Sequence, residues 1–403
     1  MRGMRALAIG GLCAVAIGFA PVLIQAAPEA GGWGALIEAY NDCGQRLFQA
    51  FAKKPGNMVL SPYSIGTAMA MALVGARGEN EVEMARVLGL ELPRDEVNAA
   101  NAAVLASLNR ASSASFQLRA ANALMQTKQG GAISEDYVAV LRKNYAAEVF
   151  RGANVATVNA WVREKTGGKI DSILGRIDPM TALVLIDAIY FKAPWQKAFD
   201  AKATLNETFH PLKGEAKVPM MHMHNYFALA DRPGYRAIRL SYTGERVSMV
   251  VVLPDAGIAD VVQRLDGNEM RLLLAALHKG VREVDLSLPR FKANFEASLV
   301  EPFMEMGMHR AFDLRTADFS GMTGRPPSEV PLAINQIRHR AVIDVAEQGT
   351  EAAAATGIGV VATAARPRPE TFQVDRPFLF VIVDDETAAI LFEGLIVDPR
   401  QAS

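Results

Sequence analysis

Apolar and polar positions divide this chain into an early helical part and a later part built of strands. Residues 34–52 carry their apolar side chains at helical spacing and predict an amphipathic helix. Ser61 followed by Pro62 is a helix start: Ser accepts at the N-cap, and Pro occupies the first helical position, where its missing N–H costs nothing. The helix it opens runs through Ile65, Ala68, Met69, Ala72 and Leu73 to about Gly75. It is apolar nearly all round, which predicts burial on every side. A third helix reaches Leu88 and closes at Gly89, and a further one spans 154–166, from Asn154 through Trp161 to the stop at Gly167 and Gly168. Farther along, the pattern changes. Residues 182–191 form a near-continuous apolar run, suited to a strand covered on both faces. The segments 247–253, 283–288, 341–346, 378–383 and 389–397 read as further strands. Helices first and strands afterwards argue for an α+β fold, and no Pro-, Gly- or Ser-rich linker cuts it in two.

One segment does not fit this pattern. Between the strand ending at Glu347 and the one starting near Phe372 lie 24 residues, and 352–365 holds no charge and no aromatic ring. A stretch of this length without its own structure is either functional or a loose insertion. Its composition suits a strand, because Ile358, Val360 and Val361 are β-branched.

Composition narrows the function. Half of the 403 residues are apolar and 21% are charged, enough for a large core and too apolar for global disorder. The formal charge of −1, without clustered Lys or Arg, carries no footprint for nucleic acid or a membrane surface. Residues 1–27 read as an export signal: Arg2 and Arg5 in the leading segment, an apolar stretch from Ala6 to Ile24, and Ala26 and Ala27 for cleavage. Gly10, Gly11, Gly18 and Pro21 weaken the alternative of a retained membrane anchor, and bulky Leu12 before Cys13 argues against a lipoprotein site. Once the signal is removed, Cys43 is the sole cysteine. Such a chain has no internal disulfide and must rely on packing. No Gly-x-Ser-x-Gly elbow, His-Glu-x-x-His motif or Gly-rich phosphate loop occurs, so an enzyme is not expected. His222 and His224 share a face if their segment is a strand, but no third ligand is apparent; neither a metal nor a cofactor is expected.

Ordered motifs then add an identity. Near the start stand Asn57, Ser61, Pro62, Ser64 and Ile65; in the middle, Val158, Asn159, Trp161, Thr166, Gly168, Lys169 and Ile170. Next come Asp187, Phe191, Lys192 and Trp195, then Val218, Pro219, Met220 and Met221, then Leu288, Pro289, Phe291 and Lys292. The series ends with Glu347, Gly349, Thr350, Glu351, Ala352, Ala353, Ala354, Ala355 and Thr356, then Arg376, Pro377, Phe378 and Phe380, and finally Phe392 and Gly394. In order and spacing, from about residue 34 to 399, the chain resembles the serpin family of serine protease inhibitors, in the form of an exported bacterial member.

That resemblance implies a single domain over 28–403 with three β-sheets, about nine helices and an exposed reactive centre loop near 348–371. It implies a target serine protease as covalent partner. The protease attacks one loop bond, and the cut loop inserts as a new strand into the central sheet, a transition that general accounts of switching proteins already cite for this family. Glu347, Gly349, Thr350, Glu351 and Ala352 to Ala355 match the hinge of that loop. Family spacing puts the reactive bond between Thr363 and Ala364, with the bonds on either side of Ala362 as neighbours. Small residues there suit an elastase-like or subtilisin-like enzyme. Arg366 offers a trypsin-like alternative, although Pro367 after it makes a poor substrate. Ser61, Ser64, Asp187 and His339 match the polar cluster where the central strands part, and Trp195 matches the tryptophan where the loop first inserts. Asp187 stands where many members carry Asn, so its pairing with His339 raises the expectation of pH-sensitive opening. Alternation along the loop puts Thr350, Ala352, Ala354, Thr356, Ile358, Val360 and Ala362 on one uncharged face. The remaining expectations are a monomer that is secreted or periplasmic, free of the membrane after signal removal, and with no nucleic-acid partner. The rival reading is a non-inhibitory member that carries a ligand.

Overall fold

Capping chemistry explains where the first helices of the computed structural model begin and end. The structure describes residues 32–111, 117–127, 133–177, 181–350 and 368–401. The proposed signal at 1–27 lies outside them. Ten α-helices occur among the described residues: α1 (Gly34–Phe51), α2 (Pro62–Gly75), α3 (Gly78–Leu88), α4 (Arg94–Ala111), α5 (Glu135–Tyr145), α6 (Val155–Lys165), α7 (Ile258–Arg264), α8 (Gly267–Ala276), α9 (Val300–Glu305) and α10 (Ser320–Thr323). The Ser61 hydroxyl accepts from the Ser64 N–H at the start of α2, and Asn154 does the same for Thr157 in α6. Gly89 ends α3 at φ 71, a left-handed position that glycine adopts without penalty.

Fifteen strands follow in the same description. They are β1 (Met58–Leu60), β2 (Gln117–Gln126), β3 (Glu148–Arg151), β4 (Leu183–Pro194), β5 (Leu205–Phe209), β6 (Ala216–Arg232), β7 (Tyr235–Ser241) and β8 (Val247–Pro254). Beyond these come β9 (Val281–Pro289), β10 (Phe291–Ser298), β11 (Ile334–Ala346), β12 (Gly349–Thr350), β13 (Glu370–Gln373), β14 (Phe378–Asp384) and β15 (Ala389–Ile396). The central sheet has the order β10, β11, β12, β4, β2, β3, with β11 also paired directly to β4. The other nine strands form a continuous ladder that β6 divides in two. Its first half pairs with β5 and β9, its last residues pair with β7, and β13 lies at the far edge of β9. Counted that way the fold has three sheets.

Both faces of β4 are covered, as its apolar run predicts. Leu183, Leu185, Ile189 and Phe191 join the main core, while Val184, Ile186 and Ala188 pack with Val158 and Val162 of α6. Every residue of α2 is buried, in keeping with its apolar circumference. Residues Gly32–Ser403 form one compact unit.

Candidate functional site

The middle of the central sheet is where its two longest inner strands separate. β4 and β11 run parallel and adjacent from Leu183 and Ile334 to Tyr190 and Val342. Beyond that point they part, and Gly349 and Thr350 fill the gap as β12. On one side Thr350 lies opposite Val345 and Gly349 opposite Ala346; on the other, Thr350 faces Ala193 and Gly349 faces Pro194. The first residues of the expected hinge are thus already a strand between β4 and β11. Gly349 is obligatory here. Its φ is +141, and a Cβ would overlap the Ala193 carbonyl oxygen and sit 2.5 Å from Pro194 Cα.

Hydrogen bonds fix the turn that feeds β12. The Trp195 indole donates to the Ala346 carbonyl at 2.9 Å, and the backbone N–H groups of Trp195 and Phe199 donate to the carbonyls of Gln348 and Glu347. The Glu347 carboxylate accepts from Arg290 Nε at 2.6 Å and from the Thr204 hydroxyl at 2.5 Å. Burial pushes this carboxyl upward, but the bonds from Arg290 and Thr204 outweigh it and hold the group below its usual range. Thr350 is fully buried, and its hydroxyl meets that of Tyr242 at 2.8 Å. The Tyr242 ring stacks on Trp195 with centroids 4.4 Å apart and an interplanar angle of 12°.

Lower in the same cleft lies the predicted polar cluster. The structure brings together Ser61, Ser64, Asp187 and His339, all fully buried, and adds Asn122 from β2. Asp187 and His339 are opposite one another across β4 and β11, and Asn122 is opposite Asp187 across β2 and β4. Ser64 donates its hydroxyl to Asp187 Oδ1, and His339 Nδ1 lies 3.0 Å from Asp187 Oδ2. The Ser61 N–H points at His339 Nε2 from 3.3 Å. An N–H donor aimed at Nε2 requires a bare nitrogen there. The ring is therefore the tautomer with its proton on Nδ1, donated to Asp187. Helix α2 and strand β11 are joined through this imidazole.

Strand β13, on the C-terminal side of residues 351–367, is also pinned. Arg282 on β9 donates to Glu370 Oε1 at 3.0 Å and to Asp231 Oδ2 at 2.7 Å. Arg236 on β7 donates to Glu370 Oε2 at 2.8 Å, to Asp231 Oδ1 at 3.0 Å and to the Thr371 carbonyl at 3.2 Å, with its guanidinium 5.6 Å from the Phe372 ring. One arginine thus grips three consecutive residues of the four-residue edge strand β13. The bond from Arg282 leads the effects that hold the Asp231 carboxyl below its usual range.

Glu351, Ala352, Ala353, Ala354, Ala355, Thr363, Ala364 and Arg366 lie outside the described residues. Among the described ones no cluster of three or more His, Cys, Asp or Glu side chains is placed to hold a metal. His222 contacts Glu207 at 3.1 Å and Ser287 at 3.0 Å, while His224 contacts Asp285 at 2.8 Å and Glu283 at 3.2 Å. Cys43 is buried, and burial pushes its thiol up to about 11. Sequence reasoning missed Tyr242, Asn122, Thr204 and the role of Arg290. Only Asn122 leaves a trace, as a lone amide in an alanine-rich strand.

The chain thus has a mixed α+β fold whose central sheet parts between β4 and β11, with β12 in the gap. Residues 38–399 match the family model for serpins, described as serine protease inhibitors. The chain belongs to the serpin family. It is 37% identical over 376 residues to an uncharacterised serpin-like protein of Thermococcus kodakarensis, covering 91% of this chain and 86% of that one. It is also 37% identical over 367 residues to a leukocyte elastase inhibitor of Bos taurus, covering 85% and 93%. Among solved structures, the thermophilic serpin tengpin in its native state overlays with a TM-score of 0.83 at 26% identity, covering 90% of this chain and 94% of that one. Human thyroxine-binding globulin complexed with thyroxine overlays at 0.82 and 26%, covering 91% and 99%.

Proposed function

We propose that this serpin is an inhibitor that traps a serine protease as a covalent acyl complex. Serpins in general are protease inhibitors and not catalysts. The serine oxygen of the protease attacks the Thr363 carbonyl carbon, the bond to Ala364 nitrogen breaks, and the new amine leaves with a proton. An ester joins the protease to Thr363. Insertion of the loop then carries the protease away before water hydrolyses the ester.

One observation carries this reading: β12 already lies between β4 and β11. Continued along β4 and β11, the pairing sets Thr356 level with both Asp187 and His339. Residues 350, 352, 354, 356, 358 and 360 then face the main core, and none of them is charged. The charge at Glu351 falls on the other face, near the hinge. Reaching Leu183 at the foot of β4 takes eleven steps from Gly349, a path of about 36 Å. Ten steps remain from residue 360 to Glu370, with a reach of about 35 Å at full extension. An uncut loop inserted along the whole strand would have only those ten steps for its return to Glu370, which Arg236 and Arg282 hold on β13. Cleavage removes that tether.

The small residues at 361–364 favour an elastase-like or subtilisin-like target over a trypsin-like one cut at Arg366. Similarity to a leukocyte elastase inhibitor points the same way. Export through removal of residues 1–27, with a monomer secreted or held in the periplasm, belongs to the same proposal. A carrier reading has one observation in its favour, a cleft of about 830 Å³ between α1 and α8, taken with the overlay on thyroxine-binding globulin in complex with thyroxine. The test mixes the mature protein with an elastase-like and a trypsin-like protease. A band of summed mass that survives denaturant, with a released peptide starting at Ala364, supports inhibition. Cleavage without such a band, and without a rise in melting temperature of the cut protein, favours the carrier.

A further inference from the structure

Strand insertion needs a starting register, and the structure sets it with a side chain that the loop itself does not supply. Resting on the insertion reading above, we propose that Tyr242 is a positioning residue. Its hydroxyl, paired with that of Thr350, fixes the register in which the loop enters the central sheet and holds the first two residue pairs made before any bond is cut.

Tyr242 cannot swing aside. Its ring is fully buried, stacked on Trp195 and edge-on to Phe191 with centroids 5.0 Å apart. Its backbone bridges Trp195, its N–H donates to the Val247 carbonyl at 2.9 Å, and the next N–H, of Thr243, donates to the Pro194 carbonyl at 2.9 Å. The hydroxyl is thus held at a set point relative to the end of β4, level with Ala193. A buried hydroxyl without a partner is costly, so each hydroxyl of this pair needs the other. No neighbouring register serves. Sliding by one residue brings Gly349, which has no side chain, or Glu351, a carboxylate, to the same point and turns every side chain to the opposite face. Sliding by two brings Gln348 or Ala352, and the glycine that the close approach at 349 demands is lost. Only Thr350 fits. A cut loop then lengthens an existing strand instead of starting one, and the start is the slow part of any cooperative ladder.

The test compares wild type with Tyr242→Phe, Thr350→Val, Thr350→Ser and the double variant Tyr242→Phe with Thr350→Val. Phe keeps the stack and removes only the hydroxyl. Two quantities are read: the number of molecules cleaved per protease trapped, and the rate at which protein cut by a non-target protease gains heat stability. Tyr242→Phe and Thr350→Val each raise the first and slow the second about fivefold to tenfold, the equivalent of one hydrogen bond. The rate of loop cleavage stays at the wild-type value. Thr350→Ser behaves like wild type, and the double variant is no worse than the worse single one. Tyr242→Phe matching wild type in both readings overturns the proposal, as does Thr350→Ser failing like Thr350→Val. A lower melting temperature of the uncut Tyr242→Phe protein, with both readings unchanged, marks a merely structural tyrosine and also overturns it. A wild type that traps no protease but gains heat stability when cut sinks the inhibitory reading alone, and the second reading still decides the role of Tyr242. A wild type that does neither overturns both.

Discussion

Raising the pH from 5 to 8 will weaken this fold through one carboxyl group, that of Glu393. It sits on β15, fully buried, where its neighbour across the interface is Gln45 of α1. Burial pushes the carboxyl from its ordinary 4.5 up to about 8, with only the Gln45 hydrogen bond pulling the other way. Gln45 Nε2 donates to Glu393 Oε1 at 2.9 Å. The remaining oxygens of the pair, Gln45 Oε1 and Glu393 Oε2, are buried without a partner among the described residues. Both are acceptors while the carboxyl is ionised; a proton on Oε2 turns one of them into a donor. Between about pH 4.5 and 8 the folded chain therefore binds a proton at Glu393 that the unfolded chain has released. The stability this supplies is complete below pH 4.5 and is lost as the pH rises through 8. At about 1.4 kcal/mol per pH unit across that window, the ceiling is roughly 4 to 5 kcal/mol, lowered by any water that reaches the ion. Glu393→Gln keeps the shape, satisfies both oxygens through a paired amide and does not titrate. Urea unfolding at pH 5, 6.5, 8 and 9 will show the variant several kcal/mol more stable than wild type at pH 8 and nearly equal at pH 5. Parallel pH profiles for the two proteins would refute the reasoning.

Three further predictions concern the cleft and its boundaries. Gly349→Ala drives a methyl group into the Ala193 carbonyl and expels β12, so the cut protein should lose its gain in heat stability, read as the melting temperature before and after loop cleavage. Glu370→Gln loosens the grip of Arg236 and Arg282 on β13, so the uncut protein incubated at 37 °C should lose trapping activity about threefold to tenfold faster than wild type, with 0.5 M salt partly reproducing the effect. Asp187→Ala strands the His339 Nδ1–H in the core, leaves the Ser64 hydroxyl only the long bond to Asn122 Oδ1 at 3.4 Å, and should cost about 2 to 4 kcal/mol in urea unfolding, whereas Asp187→Asn, which still accepts from His339, should cost less than about 1 kcal/mol.

How much of this was legible in the sequence follows from how local each feature is. The start of α2 was readable because Ser61 and Pro62 act on their own turn, and the end of α3 because Gly89 supplies its own left-handed cap. β4 was readable because burial on both faces leaves a near-continuous apolar run, interrupted by Asp187. Its partner β11 was found only over its last six residues of 13. From Ile334 the strand alternates a buried face with half-covered Arg338 and Arg340, which read as solvent positions; Arg340 in fact donates to the Ser172 carbonyl in the segment that follows α6. β6 escaped for a related reason. It serves two sheets in turn, so no single face stays buried along its 17 residues.

The cleft itself was legible only in part, for a reason built into the proposed strand insertion. A segment that must leave one environment and enter another cannot advertise either strongly: strong β-propensity throughout would close the sheet early, and charge would bar it. Small residues at 352–355 satisfy both limits and for that reason look like filler. In the proposed insertion, what would position them is supplied elsewhere, by Tyr242 and Trp195 at one end and by Arg236 and Arg282 at the other, all distant in sequence and each ordinary by itself. The hinge pattern could be matched residue by residue, but its register could not, because a register is a relation between strands. Gly349 shows the difference. In the sequence it is one glycine among 32; in the fold its lack of a side chain is what lets β12 lie against Ala193 and Pro194.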